Sequence, residues 1–162
     1  MLRYLILILL LVPMLSLQAK ERIRGHYKIV GKLPGMHSLE KVVFEEFLNF
    51  GCTHCNKLYK LTRGFRQNEK GRIEFRDIPI TFRGQDDAPL RFFYVARKMG
   101  KGDLVKAELF KAQFIHGVDV FDKGIVNYLA RSLGLSDAYR KERDAHWVNQ
   151  LLAEGELKVR QY

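Results

Sequence analysis

The pattern of apolar and polar positions predicts a strand that leads directly into a helix. Residues 41 to 50, KVVFEEFLNF, are rich in valine and phenylalanine, which is typical of a buried strand. Gly51 makes the turn, and the sequence from Cys52 onward is compatible with a helix that ends near Gly71. The apolar residues at helical spacing in this segment are Leu58, Leu61 and Phe65. The N-terminal half is therefore expected to contain a strand–turn–helix unit.

A series of helices is predicted after residue 86. The predicted segments are 87 to 100, 103 to 115, 125 to 133, and 137 or 144 to 159. The first has Asp87 and Pro89 at its start, and Asp103 is expected to cap the second. The third carries the clearest apolar stripe, which consists of Ile125, Val126, Leu129, Ala130 and Leu133. The aromatic residues that we assign to the core are Phe92, Phe93, Tyr94, Phe110, Phe114 and Trp147.

The first 19 residues, MLRYLILILLLVPMLSLQA, have the three-part layout of a secretory signal. Arg3 supplies an early positive charge, an apolar run follows, and Ala19 ends the segment. The run contains Pro13 and falls short of the roughly 20 residues that a spanning helix needs. We expect export with cleavage after Ala19. An uncleaved membrane anchor is the alternative, because Leu17 is larger than the small residue preferred three positions before a cleavage site.

The chain is basic, with 28 Lys and Arg residues against 18 Asp and Glu residues and a net charge of +10. A strongly basic surface can bind nucleic acid or anionic lipid. Here the charges are spread over helical segments, and the densest run is KERIR at 20 to 24. We therefore interpret the positive charge as solvated helix faces and expect no nucleic-acid partner.

The only two cysteines, Cys52 and Cys55, lie three positions apart. A disulfide stabilises a fold by closing a loop in the unfolded chain, and the gain grows with loop length, so this short loop argues against a purely structural bridge. A zinc site needs four ligands, but there is no second C-x-x-C, and the five histidines show no H-x3-5-H spacing. A c-type haem needs histidine directly after the second cysteine, and residue 56 is Asn. We expect no metal or cofactor and interpret the pair as a dithiol.

The predicted helix start makes Cys52 the reactive thiol of the pair. Unpaired backbone N–H groups and the helix dipole favour a thiolate at that position. His54 adds a nearby positive charge when it is protonated, whereas Cys55, one turn into the helix, is expected to be more buried. A stabilised thiolate favours the reduced pair, so the oxidised pair tends to take electrons from other thiols. This is the profile of a disulfide donor.

The segment FEEFLNFGCTHCNKL, residues 44 to 58, resembles the active-site segment of the DsbA family of periplasmic thiol:disulfide oxidoreductases. HYKIVGK at 26 to 32 is similar to the family's opening strand, and RIEFRDIPITF at 72 to 82 occupies the place of the strand after the active-site helix. The resemblance implies an α/β, thioredoxin-like fold with an inserted helical domain, and a periplasmic location. The implied domains are a signal peptide at 1 to 19, the N-terminal part of the thioredoxin-like domain at 20 to 86, and the insertion at 87 to 160.

By position, the resemblance also implies a role for each residue near the cysteines. Cys52 would be the attacking thiol, Cys55 the buried resolving thiol, and His54 the stabiliser of the thiolate. Glu46 matches a buried acid that assists proton movement beneath the disulfide. Because neighbouring strand residues face opposite sides, Glu45 would then point toward solvent.

The sequence departs from the family pattern in three places. Thr53 stands where the best-known members have proline, in the dipeptide that tunes redox poise. The family's buried lysine partner for the acid has no clear counterpart, because its place holds Arg76 or Asp77. No proline follows Pro89, whereas the family closes its site with a cis-proline strand after the insertion, and Pro79 is expected to mark an edge or a strand end. We therefore expect a truncated or incomplete member that lacks the C-terminal part of the sheet and is poorly stable and weak or inactive as an oxidase.

Together these observations predict a thiol:disulfide oxidoreductase that donates the Cys52–Cys55 disulfide to reduced exported proteins. The resemblance alone implies a membrane-bound partner that reoxidises the pair. Two alternatives stay open. One is a disulfide reductase or isomerase with the same motif and fold. The other is a non-catalytic thiol-binding, metal-binding or chaperone-like module.

Overall fold

The computed structural model describes residue 26 and residues 41 to 161. The predicted signal segment lies outside the described residues, as does the predicted opening strand apart from His26, which is exposed. The strands are β1 (Val42–Leu48) and β2 (Ile73–Pro79), and the helices are α1 (Thr53–Glu69), α2 (Ala88–Lys98), α3 (Gly102–Phe114), α4 (Lys123–Ser132), α5 (Ser136–Glu142) and α6 (His146–Gln161). Within the described part of the chain, no helix is both long enough and apolar enough to cross a bilayer.

The two strands form a parallel pair joined by α1. Their register places Glu46 opposite Asp77 and Leu48 opposite Pro79. A parallel pair needs a crossover connection, and α1 supplies it. The two strands predicted around the cysteine segment are confirmed, with shorter bounds, but β1 is buried only toward its end, at Glu46 and Leu48, while Val42 and Phe44 are exposed. Pro79 ends β2, where its missing N–H removes little from the ladder. Because the strands are parallel, the chain leaves both of them at the same edge of the sheet.

Helix α2 is the centre of the helical region. It contacts α3, α4, α5 and α6, and nearly every residue from Ala88 to Ala96 is buried. A helix that is apolar on most faces belongs in the interior, because a surface helix needs only one apolar stripe. The predicted aromatic core is confirmed, with four residues buried and two packed against them: Phe92, Phe93, Tyr94 and Phe110, then Phe114 and Trp147.

Several helix boundaries differ from the predicted ones. The last predicted helix is two helices, with Asp137 in the first turn of α5 and Asp144 just before α6. Asp103 lies in the first turn of α3 and does not cap it. Asp122 caps α4 instead, since its carboxylate accepts hydrogen bonds from the main-chain N–H groups of Gly124 and Ile125 at 2.6 and 3.1 Å. Each aspartate thus lies near a helix start, but spacing alone did not identify the cap.

The three apolar residues that the spacing identified on α1 are exposed, whereas Cys55 and Tyr59 of the same helix pack against the core. Leu58, Leu61 and Phe65 are 40, 81 and 45% exposed. The Phe65 ring packs edge-on against Phe75 of β2, with centroids 5.7 Å apart. The buried residue of α1 is Asn56, which lies on the side of the helix that packs against the rest of the protein. Helical spacing therefore predicted the helix correctly but not what these side chains contact.

Helix α6 covers the face of the sheet that carries Glu45. The expectation that Glu45 points toward solvent is therefore wrong. Strand alternation does turn Glu45 away from Glu46, but its side chain is only 9% exposed. Its carboxylate accepts a hydrogen bond from Lys158 of α6. Gly155 brings α6 close to β2, because a Cβ atom at this position would lie 3.2 Å from Cγ2 of Ile78. A helix thus occupies the place expected for solvent.

Replacing Gly155 with valine should lower the free energy of unfolding by about 1–3 kcal/mol, because extra methyl groups at this contact overpack it. Chemical denaturation of the two proteins measures the difference. Ala153→Val is the matched control, since Ala153 lies on the exposed side of the same helix. A Gly155→Val variant no less stable than the control would show that α6 does not pack closely on β2.

Candidate active site

Cys52 is the N-cap of α1. Its backbone is extended, with φ −86° and ψ 118°, and its sulfur accepts a hydrogen bond from the Cys55 main-chain N–H at 3.4 Å. An N-cap side chain normally accepts such a bond through oxygen, and here sulfur takes that role. The predicted position of both cysteines at the start of the helix is confirmed.

The pair is present as two free thiols, both half-buried. Cys55 packs against the apolar core. The two residues between them, Thr53 and His54, are exposed. The structure therefore presents one thiol toward the helix start and places the other on the core.

The two thiols differ in acidity. Burial raises the pKa of Cys52, but hydrogen bonds from the Cys55 thiol and from the main-chain N–H groups of Cys55 and His54 outweigh it and lower the pKa overall. Burial raises the pKa of Cys55 to about 11, and the charges of Cys52 and Glu46 act in the same direction, while the main-chain N–H of Asn49 opposes them. The first thiolate therefore forms on Cys52. His54 contributes its main-chain N–H to this effect.

Titrating the alkylation rate of the reduced protein should give a Cys52 midpoint below the value of about 8.5 for a free cysteine. Replacing His54 with leucine should raise that midpoint, because an imidazolium close to the sulfur favours the thiolate. The rise should be small, since the main-chain donors stay in place. An unchanged midpoint in His54→Leu would remove the imidazole from the mechanism, and a wild-type midpoint near the free value would contradict the activated thiol.

Four charged side chains form a buried charge cluster beneath the cysteines: Glu46, Arg66, Asp77 and Lys106. Arg66 donates hydrogen bonds to both carboxylates, at 2.8 Å to Asp77. The Lys106 ammonium lies 3.0 Å from Asp77 Oδ1 and 3.6 Å from Glu46 Oε2, and Lys106 is 1% exposed. Buried charges are tolerated when they are paired, and this cluster balances two acids with two bases.

Lys106 corrects the expectation that the buried acid has no lysine partner. Asp77 does occupy the strand position, but α3 of the helical region supplies the ammonium group. Lys106 lies three and four residues before Leu109 and Phe110, both buried, so it stands within the apolar stripe of α3. A charged residue inside such a stripe is the sequence signal that could have identified it.

The turn between β1 and α1 is held by Asn49, which is 1% exposed. Its side-chain amide donates hydrogen bonds to the Ile80 carbonyl at 2.9 Å and to Gln85 Oε1 at 2.7 Å. Its side-chain oxygen accepts from the Gly51 N–H at 2.9 Å, and its main-chain carbonyl accepts from the Cys52 N–H at 3.0 Å. The hydrogen bonds of Asn49 thus connect the turn before α1 to the segment after β2.

Gly51 is required by a close approach in this turn. A Cβ atom at residue 51 would lie 3.0 Å from the Phe121 ring and 3.3 Å from Asn49 Oδ1. Within the described residues, no group of three or more His, Cys, Asp or Glu side chains could hold a metal ion. What the site does present is two thiols of unequal acidity, main-chain donors aimed at sulfur, and a paired charge cluster.

A β–α–β unit with a C-x-x-C at its helix start, followed by further helices, defines a thioredoxin-like fold with inserted helices. The structure is similar to that of the oxidoreductase NmDsbA1 from N. meningitidis, with a TM-score of 0.54 and 15% identity over 74% of this chain. The chain spans 66% of the length of that structure, just under two thirds. No protein-family model matches the sequence, and no curated protein matches it. The similarity confirms the predicted fold class as a DsbA-like thioredoxin fold.

Proposed function

We propose that this protein is a thiol:disulfide oxidoreductase that donates the Cys52–Cys55 disulfide to thiols of exported proteins. The observation that carries the proposal is the unequal acidity of the two thiols at the start of α1, with the pKa lowered at Cys52 and raised to about 11 at Cys55. The similarity of the fold to that of an oxidoreductase supports the same class of chemistry. Thr53, between the cysteines, is assigned to the tuning of the redox potential.

The exchange runs in two steps. A substrate thiolate attacks Cys52 of the oxidised pair, the Cys52–Cys55 bond breaks, and Cys55 leaves as a thiolate that takes up a proton. A second substrate thiolate then attacks the substrate sulfur of the mixed disulfide, and Cys52 leaves as a thiolate. The substrate loses two electrons and gains a disulfide, and the protein gains two electrons as the dithiol.

The buried charge cluster favours protonation of Cys55 once its sulfur has left the disulfide. The negative charge of Glu46 raises the pKa of Cys55, so the thiol form is favoured once Cys55 has left. One carboxylate oxygen of Glu46, Oε1, is buried without a hydrogen-bond partner among the described residues. In this proposal the negative charge of Glu46 acts on the Cys55 thiol, while Arg66 and Lys106 keep the Glu46 carboxylate oriented.

The same asymmetry supports the proposed direction of electron flow. A thiolate favoured on Cys52 stabilises the reduced pair, which favours transfer of electrons to the oxidised pair. A periplasmic location after cleavage following Ala19, and reoxidation by a membrane-bound partner, complete the proposal. A reductase or isomerase would instead hold its pair at a lower potential.

The reduction potential of the pair, measured in glutathione buffers with the full chain, tests this proposal. Strong oxidants of this class lie near about −120 mV and reductants near about −270 mV. We expect a value on the oxidising side of about −180 mV, together with disulfide formation in a reduced, unfolded test protein. A potential near the reductant value would assign the chain to the reductases, and a pair that exchanges with neither buffer nor test protein would contradict an enzymatic role.

A further inference from the structure

Helix α1 turns an apolar stripe toward solvent. Leu58, Leu61 and Phe65 are spaced three and four residues apart, so their side chains lie along one side of the helix. All three are exposed, and Leu61 is the most exposed, at 81%. The stripe continues onto the sheet, because Phe75 of β2 packs against the Phe65 ring and against the exposed Phe44 ring, with centroids 5.7 and 5.6 Å apart. Single exposed apolar residues are ordinary, but a connected row of them marks an interaction surface.

A basic row runs beside this stripe. Lys57, Lys60 and Arg63 follow one another at intervals of three residues, and all three are exposed. None of them pairs with a carboxylate of the described residues, whereas Arg66, the fourth cation of the helix, is paired inside the buried charge cluster. The only acid in the helix is its last residue, Glu69. The exposed side of α1 therefore combines apolar surface with positive charge.

This combination fits the surface of an anionic bilayer. A helix that lies at such a surface buries leucine and phenylalanine at the level of the lipid headgroups, and its lysines and arginines bind the lipid phosphates. A long basic side chain can lie along apolar surface while its charged end reaches the phosphates, so the two rows can act together. A folded protein partner would also need a complementary shape and hydrogen bonds, whereas a bilayer adapts to a convex helix.

We propose that α1 docks this protein on anionic bilayers through its outer face. The outer face consists of the apolar stripe and the basic row: Leu58, Leu61, Phe65, Lys57, Lys60 and Arg63. The apolar side chains enter the headgroup region, and the cations bind phosphate groups of the lipids. Docking in this way brings the start of α1, with its exposed His54, close to the membrane surface. The inference does not depend on the proposed function, because it makes no use of thiol chemistry.

A tryptophan reporter in the full chain tests where the bilayer is contacted. Leu61→Trp places the reporter on the outer face, and Leu157→Trp is the matched control, because Leu157 is 60% exposed on α6. Trp147 is present in both variants. On addition of vesicles made of equal parts phosphatidylglycerol and phosphatidylcholine, the emission of Leu61→Trp should shift to shorter wavelength and should be quenched by brominated lipid. The emission of Leu157→Trp should show neither change.

Charge variants of the Leu61→Trp chain test the basic row. Replacing Lys57, Lys60 and Arg63 with glutamine should weaken vesicle binding about 100-fold, because each Lys or Arg near an anionic surface contributes about fivefold. The matched control lowers the net charge equally, by the same replacement at three exposed cations elsewhere: Lys101, Arg131 and Lys141. This control should bind nearly as well as the parent chain, and circular dichroism checks that each variant is folded.

Three results would overturn the inference. An emission of Leu61→Trp that changes no more than that of the control would show that the outer face does not contact the bilayer, and an acidic protein would then be the partner that fits it. Equal weakening by the two sets of charge variants would reduce the effect to net charge. Equal binding to vesicles of phosphatidylcholine alone would assign it to the apolar segment at 1 to 19. If Leu61→Trp fails to fold, Leu58→Trp places the reporter on the same stripe.

Discussion

A variant with methionine in place of Lys106 should lose about 3–5 kcal/mol of its free energy of unfolding, because removing one partner leaves buried charge without compensation. Lys106 is 1% exposed and lies between Asp77 and Glu46. Natural domains are stable by only about 5–15 kcal/mol, so such a loss would leave part of the protein unfolded near physiological temperature. Urea denaturation monitored by circular dichroism measures the change.

Two further variants make this result specific to the buried charge cluster. Lys98→Met removes a lysine whose side chain is 55% exposed and pairs with Glu142, and it should cost no more than about 1 kcal/mol. The double variant Lys106→Met with Asp77→Asn removes one charge of each sign and should recover much of the loss. Equal costs for Lys106→Met and Lys98→Met would contradict the pairing in the cluster.

Replacing Cys55 with serine should abolish turnover and trap a mixed disulfide on Cys52. The Cys52 thiolate can still attack a disulfide, but no second thiol remains to resolve the product. Incubation with oxidised glutathione, followed by mass spectrometry without reductant, should show one glutathione adduct per chain at pH 7.

The reciprocal variant, Cys52→Ser, should form almost no adduct under the same conditions. Burial still raises the pKa of Cys55 in this variant, although the contribution of the Cys52 thiolate is lost, so only a small fraction of the Cys55 thiols is ionised at pH 7. The adduct should appear as the pH is raised, because the thiolate is the attacking species. Equal adduct formation on the two variants at pH 7 would show that the thiols do not differ in reactivity.

Local features of the sequence were sufficient to predict the strand–turn–helix unit and the position of the two cysteines in it. Three signals indicate this unit: the valine- and phenylalanine-rich run, Gly51, and the helical spacing that follows. All three lie within about 30 residues of the chain. Cys52 at the helix start follows from the same local information. The helices after residue 86 were also predicted from the residue pattern, and the family resemblance identified them as inserted in a thioredoxin-like fold, which the structural similarity confirms.

Long-range packing explains what the sequence did not predict. Lys106 and Arg66 belong to helices in which the other lysines and arginines are exposed, and only the packing of α1 and α3 against the sheet makes these two internal. Glu45 was expected in solvent because nothing near it in the chain indicates that α6 covers that face. Asn49 resembles an ordinary turn residue until the segment after β2 is placed beside it.

The origin of the charges in the cluster limits how freely the parts of this protein can be exchanged. Its two acids come from the strands, one base comes from the active-site helix, and the other comes from the helical insertion. A graft that replaced the insertion with helices from another protein would leave the sheet with an excess negative charge directly under the dithiol. We therefore expect a chimera that retains both acids of this sheet to be less stable unless it carries a cation at the position of Lys106.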